Sequence, residues 1–364
     1  MAIKSKIKVV VVDDSAPVRA ILTKLIESDE RLQVVAAAAD PYEARELIKR
    51  HNPDVITLDI EMPRMNGIAF LKNLMRLRPM PVVMISTLTQ HGAPATLEAL
   101  ELGAIDFVPK PRQDDTGGLE EYRDQIIEKV VCAAQANIIS HEKETPAKGP
   151  LVGMASLMAG KKLKPKFLCA IGASTGGTEA IKNVIVELPE ESPPIVITQH
   201  IPAEFSASFA QRLDRISAVK VFEAEHDQMI QKGCVYVAPG HSHLRVVWGP
   251  RGYVCKLDHS DPVNRHRPSV SVLFDSVLES AGKSAIAVLL TGMGADGADA
   301  LLRLCNAGCT TAAQDEASSV VWGMPGTAVK IGAAKHILPL KKVAKFIITQ
   351  AYVETGISKK VSGK

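Results

Sequence analysis

A serine in a glycine-rich turn is the first group in the sequence that could act as a nucleophile. Ser174 lies in the run Gly172-Ala173-Ser174-Thr175-Gly176-Gly177, which follows a strand-like segment and precedes a helical one. Glycines permit the sharp turn of a nucleophile elbow, and a helix N-terminus favours a developing oxyanion. A phosphate-binding loop is the alternative. It is disfavoured because the run has neither the Gly-Lys-Ser/Thr of a P-loop nor the Gly-x-Gly-x-x-Gly of a dinucleotide site.

A histidine and an aspartate follow other strands of the same predicted sheet. His200 comes directly after the next strand, and Asp296 lies in a glycine-rich loop after a later one. Neighbouring parallel strands end side by side, so we expect His200 to reach Ser174 as a general base, with Asp296 orienting the imidazole. The backbone N–H groups near Thr175 and Met293 are the candidate oxyanion hole. Together these groups predict acyl transfer through a serine.

Other histidines offer competing arrangements. His266 after an acid such as Asp227 or Asp261 would give the Ser–acid–His order of α/β-hydrolases. This order is disfavoured because neither acid ends a clear parallel strand. A zinc site at His241-x-His243 is also disfavoured, since the pair lacks a third ligand at metal-binding spacing.

Carboxylates, hydroxyls and a lysine end the predicted strands in the first half of the chain. They are Asp13, Asp14, Asp59, Ser86, Thr87 and Lys110. Oxygen ligands with open positions suit Mg²⁺, and a carboxylate can attack a phosphoryl group whose charge a metal and a lysine neutralise. One acid alone would be interpreted as a loop residue or a helix cap. All the strand-end groups together predict a phosphoryl-transfer site.

The elements that position these groups alternate between strand and helix. Five βα units between residues 8 and 136 predict an α/β domain of flavodoxin-like (βα)5 type with a parallel sheet. Residues 167–352 predict a second α/β domain, a doubly wound parallel sheet with a β-hairpin insertion formed by 244–248 and 253–257. Sites in such sheets lie at the carboxyl ends of the strands.

The predicted boundaries are 1–125 for the first domain, 126–166 for a helix end and basic linker, and 167–355 for the second domain. The linker is predicted from lysines mixed with proline and glycine between residues 140 and 166. We interpret it as a solvated tether, with a docking strip for an acidic partner as the alternative.

Composition excludes several classes of function. The 364 residues are 46% hydrophobic and 23% charged, and the formal net charge of +3 gives no strong field for nucleic acid or membrane. Aromatic residues, at 4%, are too few to suggest a base-stacking surface. There is no membrane-length apolar run, no signal-peptide pattern and no CxxC pair. These features predict a cytoplasmic protein with reduced thiols, no nucleic-acid partner and no membrane insertion.

The first domain resembles the response-regulator receiver family. The resemblance rests on Asp13-Asp14, Asp59, Ser86-Thr87 and Lys110-Pro111. It implies that Asp59 accepts a phosphoryl group from a chemotaxis histidine kinase and that Asp13, Asp14 and Asp59 bind Mg²⁺. It also implies that Ser86, with Thr87 as the second choice, is the switch hydroxyl beside Lys110. The Lys110–Pro111 bond is expected to be cis by the same resemblance.

The second domain resembles the catalytic domain of the chemotaxis protein-glutamate methylesterases. Beyond the segments of Ser174, His200 and Asp296, the resemblance rests on Ala238-Pro239-Gly240-His241, on residues 261–269 and on Val321-Trp322-Gly323-Met324-Pro325-Gly326. It implies hydrolysis of glutamate γ-methyl esters on methyl-accepting chemotaxis receptors, deamidation of glutamine there, and no cofactor for the esterase reaction. Gly326-Thr327 departs from the family pattern, in which a bulkier or basic residue is expected after Met-Pro.

The two resemblances together imply an esterase that phosphorylation activates. We expect the unphosphorylated receiver domain to cover the esterase cleft and phosphorylation of Asp59 to open it. Two alternatives stay open: a phosphorylation-gated binding protein without catalysis, and an esterase of the same fold that acts on another protein. A DNA-binding output is disfavoured because the second half is long and α/β rather than small, basic and helical.

Overall fold

The computed structural model describes residues 5–86, 92–110, 119–137 and 154–354. These residues fall into two compact units, Met1–Lys143 and Glu144–Lys364, and each unit contains its own parallel sheet. Within the described ranges, no helix combines the length and the apolar character that crossing a membrane requires.

The first unit is a parallel sheet whose strands are joined by helices. Its elements are β1 (Ile7–Val12), α1 (Ala16–Glu27), β2 (Leu32–Ala38), α2 (Pro41–His51), β3 (Val55–Asp59), α3 (Gly67–Leu77), β4 (Val82–Ser86), α4 (Ala93–Glu101), β5 (Asp106–Pro109) and α5 (Leu119–Ala134). The strand order is β2-β1-β3-β4-β5, and every neighbouring pair is parallel. This is the flavodoxin-like order, so the predicted fold of the first domain is confirmed.

The topology of this sheet brings the acidic residues to one edge. Strands β1 and β3 are neighbours, so Asp13, which directly follows β1, comes close to Asp59 at the end of β3. The chain then returns toward α3 very close to the strand. A side chain at Gly67 would collide with the carbonyl oxygen of Asp59, and only glycine lacks the Cβ that causes this collision.

The second unit is a larger parallel sheet with a separate hairpin. Its elements are α6 (Met154–Met158), β6 (Lys161–Leu163), β7 (Leu168–Ala173), α7 (Gly177–Val186), β8 (Ile195–Gln199), α8 (Ala203–Ile216), β9 (Lys220–Glu223), β10 (Cys234–Val237), β11 (His243–Gly249), β12 (Gly252–Asp258), α9 (Val270–Ala281), β13 (Ala285–Leu289), α10 (Ala298–Asn306), β14 (Thr310–Gln314), α11 (Met324–Lys330), β15 (His336–Leu338), α12 (Val343–Ala351) and β16 (Tyr352–Glu354). The sheet order is β15-β14-β13-β7-β8-β10-β9. Strands β11 and β12 form an antiparallel hairpin, which confirms the predicted insertion.

Several short elements were not predicted from the sequence. Strands β9 and β15 lie at the two edges of the sheet and have only four and three residues, too few to show an alternating pattern. Helix α11 contains proline and glycine near its start, which weaken a helical signal. Strand β6 is rich in lysine and lies in the predicted linker, yet it pairs with β16.

The segment 126–166, which the sequence predicts to be a helix end and a basic linker, is described at both of its ends. Helix α5 continues past residue 125 to Ala134 without a break, and β6 pairs with a strand of the second unit. Both ends of the segment 126–166 are therefore parts of the two units. Its middle, residues 138–153, lies outside the described residues.

Helix α9 lies at the centre of the core of the second unit. It packs against the hairpin strand β11, the helix α10 and the sheet strand β7. Its Phe274 and Val277 are fully buried, in a cluster that includes Leu244 of the hairpin and Leu289 of the sheet. The position of α9 also sets the position of its N-terminus, which contributes to the site described below.

Replacing Phe274 by alanine should lower the free energy of unfolding of the second unit by roughly 3–5 kcal/mol, because a buried ring is removed and a cavity remains. Both tryptophans of the chain, Trp248 and Trp322, lie in this unit, so their fluorescence during chemical denaturation reports on it alone. Ile337→Ala is the matched control, since Ile337 is half exposed at the sheet edge. If the two variants unfolded at the same denaturant concentration, the proposed role of Phe274 would be wrong.

Candidate functional site

The nucleophile candidate sits in the tight connection between β7 and α7. Ser174 directly follows the strand, and Gly176 has a left-handed backbone, with φ of 74°. A side chain at Gly176 would also collide with Val320, so glycine is required for two reasons. The Gly177 N–H donates to the Ser174 carbonyl oxygen at 2.7 Å, which closes the turn. The hydroxyl of Ser174 is therefore held half-buried at the N-terminal end of α7.

The proposed base and acid lie on the strands that flank β7. His200 follows β8 on one side, and Asp296 lies in the loop after β13 on the other. His200 Nδ1 is 3.1 Å from Ser174 Oγ, and His200 Nε2 is 2.9 Å from Asp296 Oδ2. A neutral imidazole with its proton on Nε2 satisfies both contacts: Nε2–H donates to the carboxylate and Nδ1 is free to accept from the serine.

The carboxylate of Asp296 is buried and saturated with hydrogen bonds. Besides His200, Oδ2 accepts from the N–H of Val270 at 2.7 Å. Oδ1 accepts four hydrogen bonds, from Asn264 Nδ2 (2.8 Å), the Ser269 hydroxyl (2.9 Å), the Ser271 hydroxyl (2.7 Å) and the Ser271 N–H (3.2 Å). Burial would raise the pKa of Asp296, but the hydrogen bonds, led by that from His200, outweigh it and hold the pKa below its usual range. Asp296 is therefore an anion throughout the physiological pH range.

The two predicted oxyanion donors lie on loops that contact each other. The Ser174 N–H donates to the Thr291 carbonyl oxygen at 3.0 Å, and the Thr291 hydroxyl donates to the Thr175 carbonyl oxygen at the same distance. These bonds hold the loop that carries Met293 beside the nucleophile. No acceptor among the described residues takes a hydrogen bond from the Met293 N–H, which leaves it available to a substrate oxygen.

Sequence reasoning missed the groups that support the three residues. Asn264, Ser269 and Ser271 donate to Asp296, although two of them fall in a segment that the resemblance had singled out. Gln199 was also missed: its side-chain Nε2 donates to the carbonyl oxygens of both Ser174 (2.9 Å) and His200 (3.1 Å). Its position next to His200 at the strand end is the signal that could have identified it.

The competing histidine arrangements are not found among the residues that the structure describes. His200, and not His266, contacts the Ser174 hydroxyl, and the ring of His266 stacks on that of His200. Asp227, one of the acids considered for the alternative order, forms an ion pair with Lys256 at 2.5 Å. His243 donates through Nε2 to the Asp261 carbonyl oxygen at 3.1 Å, and its Nδ1 accepts from the Ser269 N–H at 3.1 Å. Across the described ranges, the acidic group of the first unit is the one set of metal-type ligands that converge.

The second candidate site is the acidic edge of the first unit. Lys110 Nζ donates to Asp59 Oδ2 at 2.7 Å and lies 3.2 Å from Asp13 Oδ2. Burial raises the pKa of Asp59 to about 6, with a smaller contribution from the charge of Asp13, although Lys110 opposes the shift. Burial lowers the pKa of Lys110, but its two acidic neighbours overcome this effect and the net change is upward.

The acidic residues fit a hard divalent cation. Asp13, Asp14 and Asp59 each offer a carboxylate oxygen, and these oxygens lie within 4.8 Å of one another. Asp13 Oδ2 is buried and accepts no hydrogen bond from the described residues, even with Lys110 nearby. A buried carboxylate oxygen without a hydrogen bond, in a set of oxygen ligands, is the chemistry that suits Mg²⁺.

The predicted switch residues are described in part. The Ser86 hydroxyl lies at the end of β4, 2.9 Å from the hydroxyl of Thr96, and the Lys110 N–H donates to the Ser86 carbonyl oxygen at 2.7 Å. Thr87 lies outside the described residues, and so does Pro111, so the cis bond expected at Lys110–Pro111 stays a prediction.

The two units define a class of protein, in which a receiver domain is joined to an α/β domain with a serine-hydrolase arrangement. The response regulator receiver domain family matches residues 9–117, and the CheB methylesterase family matches residues 169–347. Among solved structures, the catalytic domain of Thermotoga maritima CheB methylesterase is 38% identical, with a TM-score of 0.49, and the match covers 50% of this chain and 97% of that one.

Relatives that align over nearly the whole chain agree with the two family matches. A Saccharophagus degradans protein named protein-glutamate methylesterase/protein-glutamine glutaminase 2 is 63% identical over 345 residues, which cover 95% of this chain and 99% of the relative. A Hahella chejuensis protein named protein-glutamate methylesterase/protein-glutamine glutaminase 1 is 55% identical, over 93% of this chain and 94% of the relative. The chain belongs to the CheB methylesterase family, with a receiver domain preceding the catalytic one, as the sequence resemblance indicates.

Asp296→Asn should slow the reaction of Ser174 with a fluorophosphonate probe by roughly 10⁴-fold, because an amide can reverse the tautomer of His200 and remove the acceptor at Nδ1. Intact-mass measurement of probe attachment over time gives the rate without any knowledge of the natural substrate. Asp299→Asn, on an exposed position of α10, is the control. Equal rates for Asp296→Asn and the wild type would show that Asp296 does not orient His200.

Asp59→Asn should stabilise the receiver domain at neutral pH in the presence of a chelator. The folded carboxyl keeps its proton up to a pKa of about 6, whereas its ordinary pKa is 3.8, so the wild type loses stability as pH rises between these values. The asparagine variant lacks this loss. Thermal unfolding at a series of pH values from about 4 to about 7 measures the difference.

The stability advantage of Asp59→Asn should be absent at the acidic end of the series and fully present above a pH of about 6. The exposed Asp124→Asn provides the control for removal of a carboxylate from the same unit. A difference between Asp59→Asn and the wild type that is constant across the series would contradict a raised pKa.

Proposed function

We propose that this chain is a phosphorylation-activated protein-glutamate methylesterase that also deamidates glutamine, acting on methyl-accepting chemotaxis receptors. The observation that carries the proposal is the continuous contact from Ser174 Oγ through both nitrogens of His200 to the buried Asp296 carboxylate. The names of the full-length relatives supply the substrate class, a glutamate γ-methyl ester or a glutamine side chain.

The acylation step uses the geometry of the three residues directly. His200 Nδ1 takes the proton of the Ser174 hydroxyl as the oxygen attacks the side-chain carbonyl carbon of the substrate. Backbone N–H groups of Thr175 and Met293 stabilise the resulting oxyanion. His200 then gives its proton to the leaving group, which departs as methanol from an ester or as ammonia from an amide. Asp296 stabilises the imidazolium that exists between these proton transfers.

Deacylation repeats the same sequence with water. His200 removes a proton from the water that attacks the acyl carbon, and it returns this proton to Ser174 Oγ as the acyl bond breaks. The product is a glutamate carboxylate in both cases. One site can therefore perform both activities, because ester and amide substrates give the same acyl-enzyme after the first step.

The receiver domain would supply the regulation. Asp59 accepts a phosphoryl group from a chemotaxis histidine kinase, and the half-buried Lys110 ammonium lies where it can neutralise one phosphoryl oxygen. Asp13, Asp14 and Asp59 would hold Mg²⁺, which when bound supplies further positive charge to the phosphoryl oxygens. Phosphorylation of Asp59 raises the esterase activity. We place the reaction in the cytoplasm, where the kinase and the signalling portions of the receptors meet.

Ser174→Ala should lower methanol release from methylated chemoreceptor cytoplasmic fragments by roughly 10⁴- to 10⁶-fold, since the nucleophile is removed. The Ser208→Ala variant is the matched control, because it removes a serine hydroxyl within α8 that is not part of the Ser174–His200–Asp296 triad. A small phosphodonor with Mg²⁺ should raise release by the wild type and have no effect on Asp59→Asn. Methanol release that survives in Ser174→Ala, or no release by the folded and phosphorylated wild type, would contradict the proposal.

A further inference from the structure

A second histidine ring lies flat against the proposed base. The imidazole of His266 is stacked on that of His200, with ring centroids 3.7 Å apart and planes inclined by 17°. This spacing is van der Waals contact over the whole face of the ring. We propose that His266 is a positioning residue for the esterase reaction, which fixes the plane of the His200 ring through this stack. The inference rests on the proposed roles of Ser174 and His200.

The two hydrogen bonds of His200 do not fix its ring completely. They leave from Nδ1 and Nε2, toward Ser174 and Asp296, and the lone pair and the N–H of an imidazole both point along the plane of the ring. The ring can rock about the line that joins these two nitrogens while both distances stay almost constant. Rocking spoils the alignment of the Nδ1 lone pair with the serine proton, on which proton transfer depends. A flat neighbour in contact with the face of the ring opposes this motion.

His266 is suited to the task because its own backbone is held in a tight turn. The N–H of His266 donates to the Val263 carbonyl oxygen at 3.0 Å, and the Val263 N–H donates back to His266 at 3.1 Å. The two residues between them, Asn264 and Arg265, have φ values of 53° and 66°, as in a type I′ turn. The turn thus presents His266 from a defined backbone position.

The same turn is attached to the triad at a second point. Asn264 donates through Nδ2 to Asp296 Oδ1 at 2.8 Å and to the Ser271 hydroxyl at 3.1 Å. The neighbouring Arg267 donates to the carbonyl oxygens of His259 and Ser260 at 3.3 and 3.2 Å. The segment 263–267 therefore contacts the acid through Asn264 and the base through His266, and it can hold the two in a constant relative orientation.

The stack is most useful after the serine has attacked. At that stage Ser174 Oγ is bonded to the acyl carbon, and His200 must keep its orientation to deliver a proton to the leaving group. The bond to Asp296 and the contact with His266 are the constraints that remain through this step. A ring that stacks equally well should replace His266, whereas side chains without a ring should not.

Four variants test the proposal with two readouts. His266→Ala and His266→Gln, which lack a ring, should lower kcat for methanol release on the order of ten- to a hundredfold, with little change in KM, because alignment is lost and binding is not. His266→Phe should restore most of the rate. Labelling of Ser174 by a fluorophosphonate probe should follow the same order among the variants. Thermal unfolding identifies any variant that does not fold.

The fourth variant, His336→Ala, is the matched control. His336 lies on the edge strand β15, and its ring is 4.9 Å from that of Phe346, so the substitution removes a histidine ring contact away from the triad. It should leave both rates unchanged. Labelling rates of His266→Ala and His266→Gln within about twofold of the wild type would overturn the proposal. So would a folded His266→Phe that is as slow as His266→Ala, since the imidazole chemistry and not the stack would then matter.

The probe separates this inference from the proposed function. If the wild type is labelled at Ser174 but releases no methanol from receptor fragments, the substrate assignment fails while the role of His266 can still be measured by labelling. If the wild type is not labelled and Ser174→Ala behaves identically, the serine-hydrolase function fails, and the proposal for His266 is overturned with it.

Discussion

A buried carboxylate is the constraint on which the catalytic unit depends. Removing the charge of Asp296 from water is costly unless hydrogen bonds replace the solvent, and here they come from the N-terminus of α9, from Asn264 and from His200. These donors fix the entry into α9, the turn before it and the orientation of the imidazole. The packing of α9 in the core thus bears directly on the chemistry at Ser174.

The two sites use the same architecture and opposite electrostatics. In both units, polar residues meet at the carboxyl ends of neighbouring parallel strands. Hydrogen bonds hold the pKa of Asp296 low, which suits a residue that must stay an anion beside an imidazolium. Burial beside Asp13 raises the pKa of Asp59, and Lys110 only partly offsets this effect. A cation bound there would relieve this cost, and metal binding would then be coupled to the ionisation of Asp59.

Much of this protein follows from the sequence by itself. The apolar runs of β1, β3 and β7 predict buried parallel strands, and the residues at their ends then fall at one edge by topology alone. This reasoning is sufficient to bring Ser174, His200 and Asp296 together, and likewise the acidic residues of the receiver domain. The local signal is strong because Ser174 and His200 directly follow apolar strands and Asp296 lies in the loop after another.

Tertiary structure decides the remainder. Three features of the site depend on contacts between residues far apart in the chain: which nitrogen of His200 faces Ser174, the stacking of His266 on His200, and the hydrogen bonds to Asp296. These contacts depend on side-chain directions, which the hydrophobic periodicity of the sequence does not encode. The edge strands β9 and β15 depend on neighbours for their hydrogen bonds and are too short to show a pattern of their own. Sequence therefore determines which residues meet at the sheet edge, and packing determines how they are oriented.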